Sequence, residues 1–111
     1  MNAASSHKLI VTVVKKGLAR KVVPASKKAG AEGGTVLFAK GTGIHEAASF
    51  LGIPIEPEKE LILTLVPADK LDPILSAIVK AGDLDRPGYG ISFVLDTKKI
   101  AGICHLLQPY S

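Results

Sequence analysis

With 111 residues the chain has enough length for one hydrophobic core, and because 47% of it is hydrophobic but only 5% aromatic, that core must be assembled from Val, Ile, Leu and Ala. A single cysteine, Cys104, excludes an intrachain disulfide and a thiolate-only zinc site, reads as a buried or edge thiol, and suits a reducing compartment. The formal charge of +4 is modest and carried by scattered lysine pairs, "MNAASSHK" lacks the charged-then-apolar pattern of a signal peptide, and no apolar run reaches the roughly 20 residues of a membrane span, so the expectation is a cytoplasmic protein.

After a flexible start over residues 1–7, "KLIVTVVK" (8–15) is too short for a helix and apolar on both faces, which predicts a central strand closed by Gly17. Leu18, Val22, Ala25 and Ala29 then recur at helical spacing with Arg20, Lys21, Lys27 and Lys28 opposite, predicting a helix that ends at Gly30. Pro24 falls inside it, and its missing N–H predicts a kink or a late helix start. "TVLFAK" (35–40) is a second strand, followed by a glycine-bounded loop that ends in the prolines of "PIEPEK". "KELILTLV" (59–66) is a third strand. Asp69 is the expected N-cap of a second helix to Ala81, with Leu71, Ile74, Leu75 and Ile78 on its buried stripe. The turn-rich "DLDRPGYG" leads to a fourth strand, "ISFVLD" (91–96), and "KKIAGICHLL" offers a short further edge strand.

The order strand, helix, strand, strand, helix, strand is the βαββαβ arrangement of an α+β, ferredoxin-like domain, with an antiparallel sheet and both helices on one face. One domain over residues 1–111 is expected, since no repeat or linker divides the chain. The strands are nevertheless apolar on both sides, and an uncovered apolar face predicts a closed symmetric oligomer.

Two glycine turns stand out. Gly41-Thr42-Gly43 follows a predicted strand, where backbone without Cβ atoms approaches a ligand closely, yet it is no Walker sequence and by itself reads first as a loop hinge. Gly88-Tyr89-Gly90 opens no helix and is not a dinucleotide fingerprint.

Taken together, "KLIVTVVKKG", "GAEGGTVLFAKGTG", "PEKELILTLVP" and "DRPGYGISFVLDTKKIAGI" resemble, in order and spacing, the PII signalling family in its short PII-like branch, from about Lys8 to Ile103. The resemblance implies a homotrimer that binds an adenine nucleotide in clefts between subunits and controls a partner, a membrane transporter or a metabolic enzyme, through its T-loop (here about 43–58). It implies that Thr35 contacts adenine and that Leu63, Thr64 and Leu65 border the base. Gly41, Thr42 and Gly43 fall at the base of the T-loop, Lys59 faces phosphate, and Gly88, Tyr89 and Gly90 form the B-loop, whose amides wrap the phosphate chain. Ile91 stands where the family commonly has a phosphate-binding lysine, and Gly102 and Cys104 stand where it has two C-loop arginines. Fewer charge-assisted contacts favour ADP or AMP over ATP. Lys98 and Lys99 either compensate or form a solvated pair.

The T-loop is short and lacks a tyrosine, so uridylylation is not expected. "HEAASFL", carrying His45, Glu46, Ser49, Phe50 and Leu51, is read as about one and a half helical turns that either dock into a partner or fold back. Neither middle strand has the basic and aromatic consensus of an RNA-binding sheet, and Asn2 as the sole asparagine argues against a small acyl phosphatase, so neither nucleic acid binding nor catalysis is expected. His7, His45 and His105 are well separated; a trimeric metal-binding or structural oligomer without nucleotide is the alternative.

Overall fold

The computed structural model describes residues 3–4, 6–42, 49–50, 52–54 and 57–102. In chain order the elements are β1 (Ala3–Ala4), β2 (His7–Lys15), α1 (Ala19–Lys28), β3 (Thr35–Lys40), β4 (Ser49–Phe50), β5 (Ile53–Pro54) and β6 (Glu58–Pro67). A 3₁₀ turn (Ala68–Lys70), α2 (Leu71–Ala81), β7 (Gly90–Asp96) and β8 (Lys99–Ile100) complete them. The main sheet has the order β3-β6-β2-β7, antiparallel throughout. Neither helical connection joins neighbouring strands, so each crossover skips one strand, as the ferredoxin-like arrangement requires.

Alternation along the strands divides the sheet into two unlike faces. Ile10 and Val14 of β2 and Ile62 and Val66 of β6 are fully buried under Val22 of α1 and Ile74 and Ile78 of α2. On the opposite face, Leu37, Ile91, Phe93 and Leu95 are each between 43% and 58% exposed, an apolar surface that no other described residue covers.

Helix α1 differs from its sequence reading in two ways. The buried positions are Ala19, Val22 and Ser26, so of the predicted stripe Val22 is at its centre while Leu18 and Ala29 are only partly buried against the same core. Ser26 is accommodated there because its hydroxyl donates to the Val23 carbonyl at 2.7 Å. Nor does Pro24 delay the start: the helix begins at Ala19 and runs through it. Pro24 lies on the exposed side, where the Arg20 carbonyl it leaves unpaired meets water.

Asp69 does not cap α2. It sits in the 3₁₀ turn, Lys70 occupies the N-cap position without a side-chain bond, and the helix starts at Leu71. That start places Pro73 in the first turn, where no intrahelical N–H is needed. The short strand from the tail exists as Lys99–Ile100, but it pairs with Ala3–Ala4 instead of extending the main sheet, so part of the 1–7 stretch read as flexible is held in a ladder.

Within "HEAASFL" only Ser49 and Phe50 are described, and there the helical reading is corrected to strand. Ser49–Phe50 pairs antiparallel with Ile53–Pro54, and Gly52 between them takes φ +80°, a left-handed turn conformation that glycine adopts without strain. Residues Gly43, His45, Glu46, Leu51, Cys104 and His105 lie outside the described residues.

Candidate functional site

The strand registers bring four chain segments to one end of the sheet. Lys15 at the end of β2 is paired with Lys59, Lys40 at the end of β3 with Glu58, and Gly90 at the start of β7 with Val14. A cleft of about 690 Å³ opens there. Its floor is the row Leu61, Val13 and Ile91, three cross-strand neighbours on the uncovered face. One wall is Ala39 to Thr42 and the other is the loop from Leu84 to Gly88. Among the described residues Lys40, Lys59 and Arg86 line it against the one carboxylate of Asp85, so the cleft suits an anion carrying an apolar portion. A neighbouring hollow of about 440 Å³ shares Ala39, Lys40 and Lys59 and adds Lys16, Phe38 and Glu58.

Of the sequence-predicted residues, Gly41, Thr42, Lys59, Gly88 and Gly90 meet in this cleft. Thr35, Leu63 and Leu65 do not. Thr35 lies six residues from Gly41 along an extended strand, roughly 20 Å at about 3.3 Å per residue. Leu63 is its register partner on the same uncovered face. Thr64 points to the helix side, is wholly buried, and its hydroxyl has no hydrogen-bond partner among the described residues. Its side chain is therefore out of reach of a ligand in the cleft.

The glycines also differ from the cradle expected of them. The Gly41 N–H donates to the Pro57 carbonyl at 3.1 Å, which closes the neck of the loop and removes that donor from any anion. In the second turn the Tyr89 N–H donates to the Arg86 carbonyl at 3.3 Å and the Arg86 N–H to the Asp83 carbonyl at 3.0 Å, so two of the loop's amides serve the loop itself. Gly90 is required by packing. A Cβ there would lie 2.3 Å from the Val13 carbonyl oxygen, and the residue adopts φ +154°.

Sequence reasoning missed Lys40 and Arg86, two cations that line the cleft where position 91 is isoleucine. Arg86 was legible only as part of a turn, because its position opposite β3 depends on the β2–β7 register. It missed Glu60 as well. That carboxylate, 8% exposed, accepts the Ala19 N–H at 2.8 Å and so caps α1 from the neighbouring strand, where the helix has neither a side-chain cap nor an acidic residue of its own. Beside the cleft, Lys16 and Glu58 form a 2.7 Å ion pair in the open. The hydrogen bond and charge of each partner raise the Lys16 ammonium above its ordinary range and hold the Glu58 carboxyl below its own.

Among the described residues, no group of three or more His, Cys, Asp or Glu is placed to hold a metal, and no helix is long and apolar enough to cross a membrane. A comparison with curated protein sequences finds no match. Among solved structures, the chain is similar to Arabidopsis thaliana PII bound to citrate, at 21% identity and a TM-score of 0.67, over 85% of this chain and 79% of that one. Likeness at that identity speaks for the fold, and it agrees with the βαββαβ topology. The family model described as Nitrogen regulatory protein P-II matches residues 7–104, and with the match spanning nearly the whole chain, this protein belongs to the P-II family.

Proposed function

We propose that the chain is a non-enzymatic regulatory signal protein that binds an adenine nucleotide in the cleft at the end of its sheet and transmits the bound state to a partner through the loop over residues 43–58. The observation that carries this reading is the convergence of Gly41, Thr42 and Lys59 with Gly88 and Gly90 around one cationic cleft. P-II family proteins are regulatory and typically homotrimers that bind small ligands. Trimer formation by this chain is supported by the apolar face of Leu37, Ile91, Phe93 and Leu95, which stays exposed among the described residues and which a second copy would cover. It also accounts for the distance between Thr35 and Gly41: the adenine-facing residues of one subunit complete the phosphate-facing cleft of the next.

The partner is a membrane transporter or a metabolic enzyme reached through the β4–β5 hairpin and the residues around it, including His45, Glu46, Ser49, Phe50 and Leu51. With Lys40 and Arg86 added to Lys59, the cleft has enough positive charge for a di- or triphosphate, so ADP and ATP stand beside AMP as ligands. Calorimetric titration with ATP, ADP and AMP, with citrate as a control anion, tests the reading alongside mass determination in solution. Binding of at least one nucleotide by a trimer is the expected result; no binding of all three refutes it.

A further inference from the structure

We propose that Arg86 is the oriented anion contact of the cleft and that Tyr89 is the residue that positions it. The inference rests on the reading of the cleft as an anion-binding site and identifies which side chain discriminates among anions there.

The backbone comes first. Asp83 has φ +54° and Gly88 φ +81°, and the two successive turn bonds, Arg86 N–H to Asp83 and Tyr89 N–H to Arg86, fold the loop so that residues 86 and 89 lie side by side. The Arg86 guanidinium carbon is then 4.8 Å from the centroid of the Tyr89 ring. The Lys15 ammonium, at the end of β2 beside the β2–β7 register, is 4.4 Å from the same centroid. One ring thus carries two cations, and the negative quadrupole of its face holds both near the cleft.

Among the described residues Arg86 has little else to fix it: the Asp83 carboxylate oxygen is 3.9 Å away, too long for a hydrogen bond, and the Arg86 side chain is 63% exposed. Held over the Tyr89 ring, the guanidinium keeps its planar fork of N–H donors for a bidentate partner, the geometry that phosphate oxygens accept. Lys59 differs: it is 9% exposed at the cleft floor and presents a point charge. The chemical class that fits a fixed fork beside Lys40 and Lys59 is a polyphosphate end, free or attached to a nucleoside.

The test titrates the intact protein with sodium tripolyphosphate and, separately, with ATP. Arg86→Ala is expected to weaken tripolyphosphate about 10- to 100-fold, the range of lost charge-assisted bonds, and Arg86→Lys to fall between it and wild type. Tyr89→Ala is expected to weaken it about 3- to 5-fold, while Tyr89→Phe, which keeps the ring, stays within about twofold of wild type. The double variant Arg86→Ala/Tyr89→Ala is expected to match Arg86→Ala alone, because Tyr89 acts through Arg86. Far-UV circular dichroism confirms that each variant is folded.

Unchanged tripolyphosphate affinity in Arg86→Ala overturns the proposal. Equal losses in Tyr89→Phe and Tyr89→Ala, or full additivity in the double variant, overturn the positioning role. Wild type that binds tripolyphosphate in an Arg86-dependent way but no nucleotide refutes the nucleotide reading and leaves this inference standing; wild type that binds neither refutes both.

Discussion

Removing the Glu60 carboxylate tests the claim that the second long strand, and no residue of the helix itself, secures the start of α1. Ala19 is 6% exposed, and its N–H has Glu60 at 2.8 Å as partner, while the N–H groups of Lys21 and Val22 share the Leu18 carbonyl. In Glu60→Ala the Ala19 N–H is left buried without an acceptor, about 1–3 kcal/mol, and the helix N-terminus loses the negative charge bonded to it, about 0.3–1 kcal/mol more. Release from the desolvation of a nearly buried carboxylate offsets part of this, so about 2 kcal/mol is the expected net loss. For a domain of this size that is a fall in melting temperature of roughly 8 °C. Glu60→Gln keeps an acceptor and loses only the charge, so about half the effect is expected. Thermal and urea unfolding followed by circular dichroism, at one fixed protein concentration, measures both. A Glu60→Ala variant within about 0.5 kcal/mol of wild type, or a glutamine variant as unstable as the alanine, refutes the capping role.

Gly90→Ala drives a Cβ into the Val13 carbonyl, and is expected to separate β2 from β7 and lose soluble folded protein, read by expression level and melting temperature; a normal melt contradicts the packing argument. Phe93→Glu places a charge in the middle of the uncovered face and is expected to reduce the mass seen by light scattering to that of a monomer, and an unchanged mass shows that the face is not the contact. For the pair Lys16 and Glu58, the depressed carboxyl stabilises the fold above its ordinary value near 4.5 and the raised ammonium does so below its ordinary value near 10.5. The difference in stability between wild type and Lys16→Met should therefore be flat from weakly acid to weakly alkaline pH, vanish as pH falls through the Glu58 titration, and shrink with salt; a difference that persists in strong acid rules out the ion pair as its source. Gly41→Ala meets no atom within 4 Å and is expected to leave stability unchanged while weakening nucleotide binding, both read from one set of titrations and melts.

The long strands were legible because each is a run of β-branched and aliphatic residues bounded by turn formers, and β3 begins and ends where "TVLFAK" does. Doubly apolar patterning in "KLIVTVVK" also foretold an uncovered face, since a single helical layer covers only one side. The start of α2 was displaced because Asp69 has the chemistry of a cap but Pro73 sets the geometry: the helix must begin where its missing N–H costs least. At the cleft, Lys59 and the glycines were read from motifs, whereas Arg86, Lys40 and Glu60 act through long-range register. Glu60 is 41 residues from the N–H it caps, and no local pattern encodes that distance.

Three glycines border the cleft, each with its own reason. Gly90 is fixed by the close approach of β7 to β2, so packing alone explains it. Gly88 is fixed by its backbone, since φ +81° is strained for any side chain, and this turn sets Tyr89 beside Arg86. Gly41 has neither reason: no positive φ, nothing near its missing side chain, and an N–H already bound to Pro57. The bond from Gly41 to Pro57 ties the two ends of the loop over residues 43–58 together at the rim of the cleft, on the wall facing Arg86. On the proposed reading, an anion drawn in by Arg86 and Lys59 passes this neck, and Gly41, where the fold tolerates a methyl group, is the position at which occupancy would be passed to the loop. The hinge and the phosphate edge are then one structural feature, with the backbone bond supplying the first and the open space beside it the second.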